Sequence, residues 1–318
     1  MPTHNCIILD DYQNVALSLA DWASLGDAVS VRSFTEHISD RERLTTALRD
    51  ASILVVMRER TVIDSALLKK LPALRLIVTS GMRNAAIDLK AAKEQGIIIC
   101  GTDSGSEPPA ELTWGLLLAL ARNIVPEQNS LVGNGPWQQT LGITLAGKTI
   151  GIVGLGKIGQ RIARYAQAFG MKVYAWSPNL TPERAEKAGA VFKEKAELLA
   201  LSDVLTLHLV SAPATRGVIG WQDLLRMKPG ALLINTSRAE LIEEGALLRA
   251  LEEKIIAGAA TDVFGQEPLA ADSAWRGGGN LLATPHLGYV SDSNYRLYFT
   301  QAVENIAAWL AGKPQREL

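Results

Sequence analysis

Cysteine is nearly absent from this chain. Cys6 and Cys100 are the only two, and both sit in apolar runs, NCIILD and GIIICG. They read as buried, reduced thiols, so the fold is expected to bury its cores without covalent staples. Histidine is scarce too: His4, His37, His208 and His286 are the whole set. No charge of one sign dominates. The 32 basic and 33 acidic residues leave a formal net charge of −1, which argues against nucleic acid or an acidic membrane surface as partners and still allows a local basic pocket. No apolar run approaches the length of a membrane span. The opening MPTHNCIILD has no basic start, apolar stretch and small-residue cleavage site of a secretory signal. A cytoplasmic protein without bound metal is the expectation.

What is present is ordinary globular material. Of 318 residues, 47% are hydrophobic and 20% charged, enough for two domains with sizeable cores. Short β-branched runs alternate with longer helical patterns. The first set is CIILD, VSVRS, SILVV, LRLIV and GIIIC; the second is KTIGIVG, KVYAW, DVLTLHL, ALLIN, IIAGAATDV and NLLAT. Such alternation predicts α/β architecture: two doubly wound parallel-sheet domains, similar but not identical. Between the sets lies EPPAELTWGLLLALARNI. Its Pro108 and Pro109 suit a first helical turn, and Leu112, Leu116, Ala119 and Leu120 share one helical face. The stretch VPEQNSLVGNGPWQQTLGITLAGK has no clear periodicity and reads as loop or arm. SNYRLYFTQAVENIAAWLAG reads as a closing helix.

In TIGIVGLGKIGQRIARYAQAFG the loop Gly154-Leu155-Gly156-Lys157-Ile158-Gly159 follows an apolar strand and opens a helix with Ile158, Ile162, Ala166 and Phe169 on one face. That context turns a weak glycine pattern into a dinucleotide fingerprint. Gly154 permits the tight turn, Gly156 lets the backbone approach a pyrophosphate, and Gly159 lets helix and strand pack closely. The helix N-terminus offers free N–H groups and a positive dipole end. NAD or NADP is the expected cofactor. The next strand ends at Trp176-Ser177-Pro178, where an acid usually holds the adenosine ribose. Ser177 repels no 2′-phosphate. Ser177 and Asn179 can hydrogen-bond one, and Arg184 or Lys187 is the cation in reach. Use of NADPH at least equal to NADH is therefore expected, although serine is compatible with NAD.

Three polar residues follow three successive strands: Arg238 after ALLINTS, Glu267 after GAATDVFGQ and His286 after NLLATP. Ligands of an open parallel sheet bind beyond the carboxyl ends of its strands. A histidine there can protonate the oxygen of a carbonyl receiving hydride. A carboxylate beside it orients the ring and favours imidazolium. An arginine can grip a substrate carboxylate through its planar fork.

At these residues the chain resembles the D-isomer-specific 2-hydroxyacid dehydrogenase family, which includes D-3-phosphoglycerate dehydrogenases, glyoxylate/hydroxypyruvate reductases and formate dehydrogenase. The stretches GKTIGIVGLGKIGQ, SDVLTLHL, LLINTSRAELIEEGAL, GAATDVFGQEPL and LLATPHLGY carry the likeness over nearly the whole chain. The resemblance implies Arg238, Glu267 and His286 as catalytic arginine, glutamate and histidine. It implies Asp262 near the nicotinamide carboxamide, with Thr236 and Arg238 lining that pocket. It implies a flavodoxin-like substrate-binding domain of residues 1–105 plus 292–318, with a Rossmann NAD(P)-binding domain, 106–291, inserted. It further implies a hinge at the boundary helices and a homodimer with an arm from the nucleotide domain. The resemblance also implies that the turn TSGMRNAAID binds the substrate carboxylate, with Met82 and Arg83 at its key positions, where small residues are common in the family. Leu112 stands where a histidine is frequent, and Tyr289 where glycine is frequent. Arg58 and Arg60, in VVMRERT, are either substrate contacts or solvated loop charges. The expected reaction is hydride transfer between NAD(P)H and a small 2-keto acid, the reverse being oxidation of a D-2-hydroxy acid. The alternative is an NAD(H)-sensing binding protein, because corepressors of this fold keep similar residues.

Overall fold

The computed structural model describes residues 3–278 and 280–318. It divides into two compact units, residues 1–105 with 291–318, and residues 106–290.

The first unit holds five parallel strands: β1 (His4–Ile8), β2 (Val29–Ser33), β3 (Ile53–Val56), β4 (Leu76–Thr79) and β5 (Ile98–Cys100), in the order β2-β1-β3-β4-β5. The strands β3 (ILVV) and β4 (LIVT) are buried at every position. Their unbroken apolar runs suit strands covered on both faces. Cys6 and Cys100 are free and buried, as their apolar runs lead one to expect. The closing helix Asp292–Leu310 joins this unit. Ser291 caps it by accepting from the Asn294 N–H, and its buried face carries Tyr295, Tyr298, Phe299, Ala302 and Ile306. After it the chain returns along the sheet edge: the Leu318 N–H donates to the Ile99 carbonyl at 2.9 Å, pairing backbone groups that an edge strand otherwise exposes.

The second unit holds seven parallel strands: β6 (Thr149–Val153), β7 (Lys172–Trp176), β8 (Val191–Phe192), β9 (Val204–Leu207), β10 (Leu232–Asn235), β11 (Gly258–Thr261) and β12 (Leu281–Ala283), in the order β12-β11-β10-β9-β6-β7-β8. All run the same way, so every carboxyl end lies on one edge. The order reverses at β6, which places a ligand crevice beyond the ends of β6 and β9. The short β8 lay outside the sequence pattern: two residues are too few to show alternation.

Three local readings need correction. The helix Glu107–Ala121 buries Ala110, Thr113, Trp114, Leu116, Leu117 and Ala121, while Leu112, Ala119 and Leu120 are only partly buried. Only the side bearing Glu107, Glu111 and Gly115 is exposed, so the apolar surface is too broad to read as a single inner stripe. In the helix Lys157–Ala168, Ile162, Ala163 and Ala166 are buried, but Phe169 caps the end and is 43% exposed. Its ring packs on Trp114 with centroids 4.9 Å apart. Finally, the helix Ile124–Val132 occupies the start of the stretch taken for loop. None of its residues is buried; its apolar side chains Ile124, Val125, Leu131 and Val132 are all exposed, and Pro126 with the polar run 127–130 between them interrupts the periodic signal.

Candidate active site

The glycine loop leaves β6 with Gly154 at φ +102°, where a Cβ would lie 2.7 Å from the backbone carbonyl carbon and oxygen of His208. A Cβ on Gly159 would lie 2.1 Å from the Gly154 carbonyl oxygen. Both positions therefore require glycine, one for its dihedral and both for space. Gly156 is the N-cap of the helix Lys157–Ala168, and a Cβ there would meet nothing within 4 Å. The space in front of Gly156 is open and faced by the first N–H groups of a twelve-residue helix, with Lys157 exposed and Ile158 half-buried. Such a cradle fits a pyrophosphate. Behind it His208 is partly buried, with Nε2 2.9 Å from the Thr206 hydroxyl. Burial pushes its imidazole down to about 3, so it is a neutral wall of the loop.

Ser177 directly follows β7 and is half-buried. Arg184, in the helix Pro182–Lys187, turns back and donates from Nη1 to the Asn179 carbonyl at 2.8 Å. The arginine is thus brought to the Ser177–Leu180 turn. Lys187 stands exposed in the helix's last turn.

His286 follows β12 and adopts a left-handed backbone conformation, φ +52°, uncommon for a side chain with a Cβ. Its Nδ1 lies 2.6 Å from Glu267 Oε2. The other Glu267 oxygen accepts from the Phe264 N–H at 2.9 Å, so the carboxylate is held from both sides. With Nδ1–H donating to Glu267, Nε2 is the nitrogen left to meet a substrate. The two side chains are 19% and 26% exposed.

The loop that carries His286 is gathered by Asp262. This carboxylate is fully buried. Oδ1 accepts from Thr284 Oγ1 at 2.6 Å and from the Leu287 N–H at 2.7 Å, and Oδ2 from the Gly288 N–H at 2.8 Å. Burial pushes its carboxyl up, against the opposing pull of those donors. The sequence reading missed this clamp, because the partners lie more than twenty residues further along the chain.

Thr236 is buried at the end of β10, its hydroxyl 2.6 Å from that of Thr113. Thr113 donates to the Pro109 carbonyl at 2.6 Å, so the shared proton comes from Thr236. Arg238 stands at the end of the same strand, which lies beside β11 and hence one strand from β12. Its Nη1 donates to the Ser237 carbonyl at 2.8 Å, and its own carbonyl accepts from Asn235 Nδ2 at 3.0 Å. The structure therefore joins Glu267 to His286 directly and sets Arg238 at a neighbouring strand end.

In the first unit, Met82 and Arg83 are exposed on the turn after β4. Gly81 there has φ +88°, and its N–H donates to Thr102 Oγ1 at 2.8 Å. Arg58 and Arg60 are not solvated loop charges. Arg60 donates to the Asp10 carbonyl at 2.7 Å and lies 4.3 Å from the centre of the Tyr12 ring. Arg58 Nη1 reaches the Ser80 carbonyl at 3.4 Å. Close by is a second histidine–carboxylate pair that no sequence pattern revealed, His37 Nδ1 at 2.9 Å from Asp10 Oδ1. Thr61 Oγ1 donates to the other Asp10 oxygen at 2.6 Å.

Among the described residues, no group of three or more His, Cys, Asp or Glu side chains is placed to hold a metal ion. No described helix is long and apolar enough to cross a membrane.

Residues 114–288 match the family model for the D-isomer specific 2-hydroxyacid dehydrogenase, NAD binding domain. The chain belongs to the D-isomer-specific 2-hydroxyacid dehydrogenase family. Its nucleotide-site cradle thus lies in the family's NAD-binding domain. A glyoxylate reductase of Aeropyrum pernix is 35% identical over 86% of this chain and 84% of its own length. A D-3-phosphoglycerate dehydrogenase of Methanocaldococcus jannaschii is 38% identical over 86% of this chain and 52% of its own. The chain thus spans about half the length of the phosphoglycerate dehydrogenases it matches. A solved phosphoglycerate oxidoreductase of Vibrio cholerae O395 superposes with a TM-score of 0.92 at 39% identity, over 97% of this chain and 99% of that one.

Proposed function

We propose that this family member reduces small 2-keto acids, glyoxylate and hydroxypyruvate among them, and in reverse oxidises D-2-hydroxy acids. The observation that carries the reading is the 2.6 Å contact between His286 Nδ1 and Glu267 on the strand-end edge that also bears the glycine loop. Bound NAD(P)H supplies the hydride. As the carbonyl carbon accepts it, negative charge grows on the oxygen, and His286 Nε2 delivers the proton that neutralises it. Glu267 keeps the ring in the tautomer that leaves Nε2 free for this, and offsets the imidazolium charge before the transfer. Arg238 grips the substrate carboxylate. Met82 and Arg83 are further substrate contacts, in a substrate-binding domain of residues 1–105 plus 292–318, whereas a domain of residues 106–291 holds the nucleotide. Steady-state assays of glyoxylate, hydroxypyruvate and D-3-phosphoglycerate with both cofactors test the reading. Tight NADH binding without turnover of any of them would favour the nucleotide-sensing alternative instead.

Cofactor choice follows from the end of β7. A carboxylate there would repel a 2′-phosphate and be left buried beside it. Ser177 does neither, and Arg184 is held at the same turn. The protein therefore uses NADPH at least as well as NADH. Ser177→Asp should cut kcat/KM for NADPH far more than for NADH. A parent already selective for NADH, with no further change in the variant, would move the choice to other residues.

The functional form is a homodimer. Leu131, Val132, Trp137 and Leu141 are 56%, 72%, 81% and 95% exposed, a run of apolar side chains that suits burial against a second copy. Light scattering of the parent and of a Trp137→Glu, Leu141→Glu variant tests this, with a dimer and a weakened dimer expected.

A further inference from the structure

Tyr289 is the residue that the catalytic reading does not use. It lies three positions beyond His286, and only 6% of it is exposed. Its ring meets the His286 imidazole edge to face, with centroids 5.1 Å apart and planes at 72°. The two rings share a tight loop. The Val290 N–H donates to the Leu287 carbonyl at 2.8 Å, and Asp262 holds Leu287 and Gly288 from below at 2.7 and 2.8 Å. A Cβ on Gly288 would come within 3.2 Å of the Asp262 carboxylate, so the backbone between the rings is drawn close to that anchor.

Two supports therefore act on the imidazole. Glu267 holds one atom, Nδ1, and a single hydrogen bond leaves the ring able to swing about that contact. A flat ring packed at 72° blocks the swing and keeps water from one side of the imidazole, as edge-to-face aromatic pairs fix geometry beyond their burial. We infer that Tyr289 is a positioning residue for His286: its ring, not its hydroxyl, fixes the plane in which Nε2 is presented to the substrate carbonyl. The inference rests on the proposed role of His286 as proton donor. A proton donor held in the wrong plane costs rate rather than affinity.

Three variants test it. Tyr289→Phe keeps the ring, Tyr289→Leu keeps apolar volume without a flat ring, and Tyr289→Gly removes the side chain. With glyoxylate or hydroxypyruvate, Tyr289→Leu and Tyr289→Gly should lower kcat by about tenfold, with KM for the nicotinamide cofactor unchanged and Tyr289→Phe close to the parent. The second readout needs no turnover. In protein labelled with 15N-histidine, the Nδ1–H resonance of His286, identified by its loss in His286→Gln, should exchange with solvent faster in the leucine and glycine variants and at the parent rate in Tyr289→Phe. Parent-like kcat and parent-like exchange in both Tyr289→Leu and Tyr289→Gly would overturn the inference, as would a phenylalanine variant that behaves like leucine. If His286→Gln turns over as fast as the parent, the catalytic reading fails by itself, and the exchange rates still decide whether Tyr289 holds the ring. Should Tyr289→Leu unfold, the glycine and phenylalanine variants carry both readouts.

Discussion

The molecule contains two histidine–carboxylate pairs built alike and placed differently. His37 meets Asp10 at 2.9 Å in the first unit, and His286 meets Glu267 at 2.6 Å in the second. Each uses Nδ1, and each contains one residue with a left-handed backbone, Asp10 at φ +59° and His286 at φ +52°. What differs is the setting. Asp10 is 1% exposed and ties together three loops, through His37, the Thr61 hydroxyl and the Arg60 guanidinium on its carbonyl. The Asp10 hydrogen bond raises the His37 pKa. Around His286 the same edge of the sheet brings a nucleotide cradle, an arginine at a neighbouring strand end and a loop clamped by Asp262. A histidine–carboxylate pair is thus not a signature of proton transfer. What it does is decided by what shares its strand ends.

The comparison can be broken at several points. Short of removing the imidazole, the largest effect falls on Arg238→Lys. Lysine keeps the charge and loses the fork. A lost charge-assisted hydrogen bond of about 1.5–3 kcal/mol corresponds to a drop of about ten- to a hundredfold in kcat/KM, shared between kcat and KM. Unchanged constants would mean that the fork holds no substrate. Glu267→Gln should lower kcat by about tenfold. A kcat equal to the parent's would show that the 2.6 Å contact does not serve catalysis.

The smallest effect is expected from His37→Gln, and on stability alone. Its folded-state pKa lies above the unfolded value, so the unfolded chain loses this proton first as pH rises. The stabilisation is complete below the ordinary histidine value of about 6.5 and fades as pH climbs through the raised folded value. The parent should melt about 2–4 °C above the variant near pH 6, with a smaller gap at pH 9. A gap that widens with pH would contradict the assigned pair.

The difference between the pairs also shows what the chain discloses before folding. Gly154 and Gly159 were legible because backbone chemistry admits no other residue there and because their spacing is local. Glu267 and His286 were legible because each follows a strand, and a parallel sheet collects strand ends on one edge. His37 and Asp10 lie 27 residues apart on loops, and no periodicity relates them. Thr113 and Thr236 are 123 residues apart, a contact created only when helix packs on sheet. The same holds for Asp262, whose clamp on residues 284–288 depends on β11 and β12 being neighbours. The helix Ile124–Val132 escaped for another reason: it is short, it buries no residue, and its exposed apolar pairs at either end are separated by Pro126 and a polar run, which hides the helical period.

The most direct measurement places His286→Gln and His37→Gln side by side, with kcat for glyoxylate or hydroxypyruvate reduction and the dissociation constant for the nicotinamide cofactor determined in both. The account predicts that His286→Gln loses about a hundredfold or more in kcat with cofactor affinity retained, and that His37→Gln stays within about twofold of the parent. Near-parent turnover in His286→Gln, or an equal collapse in both variants, would contradict it.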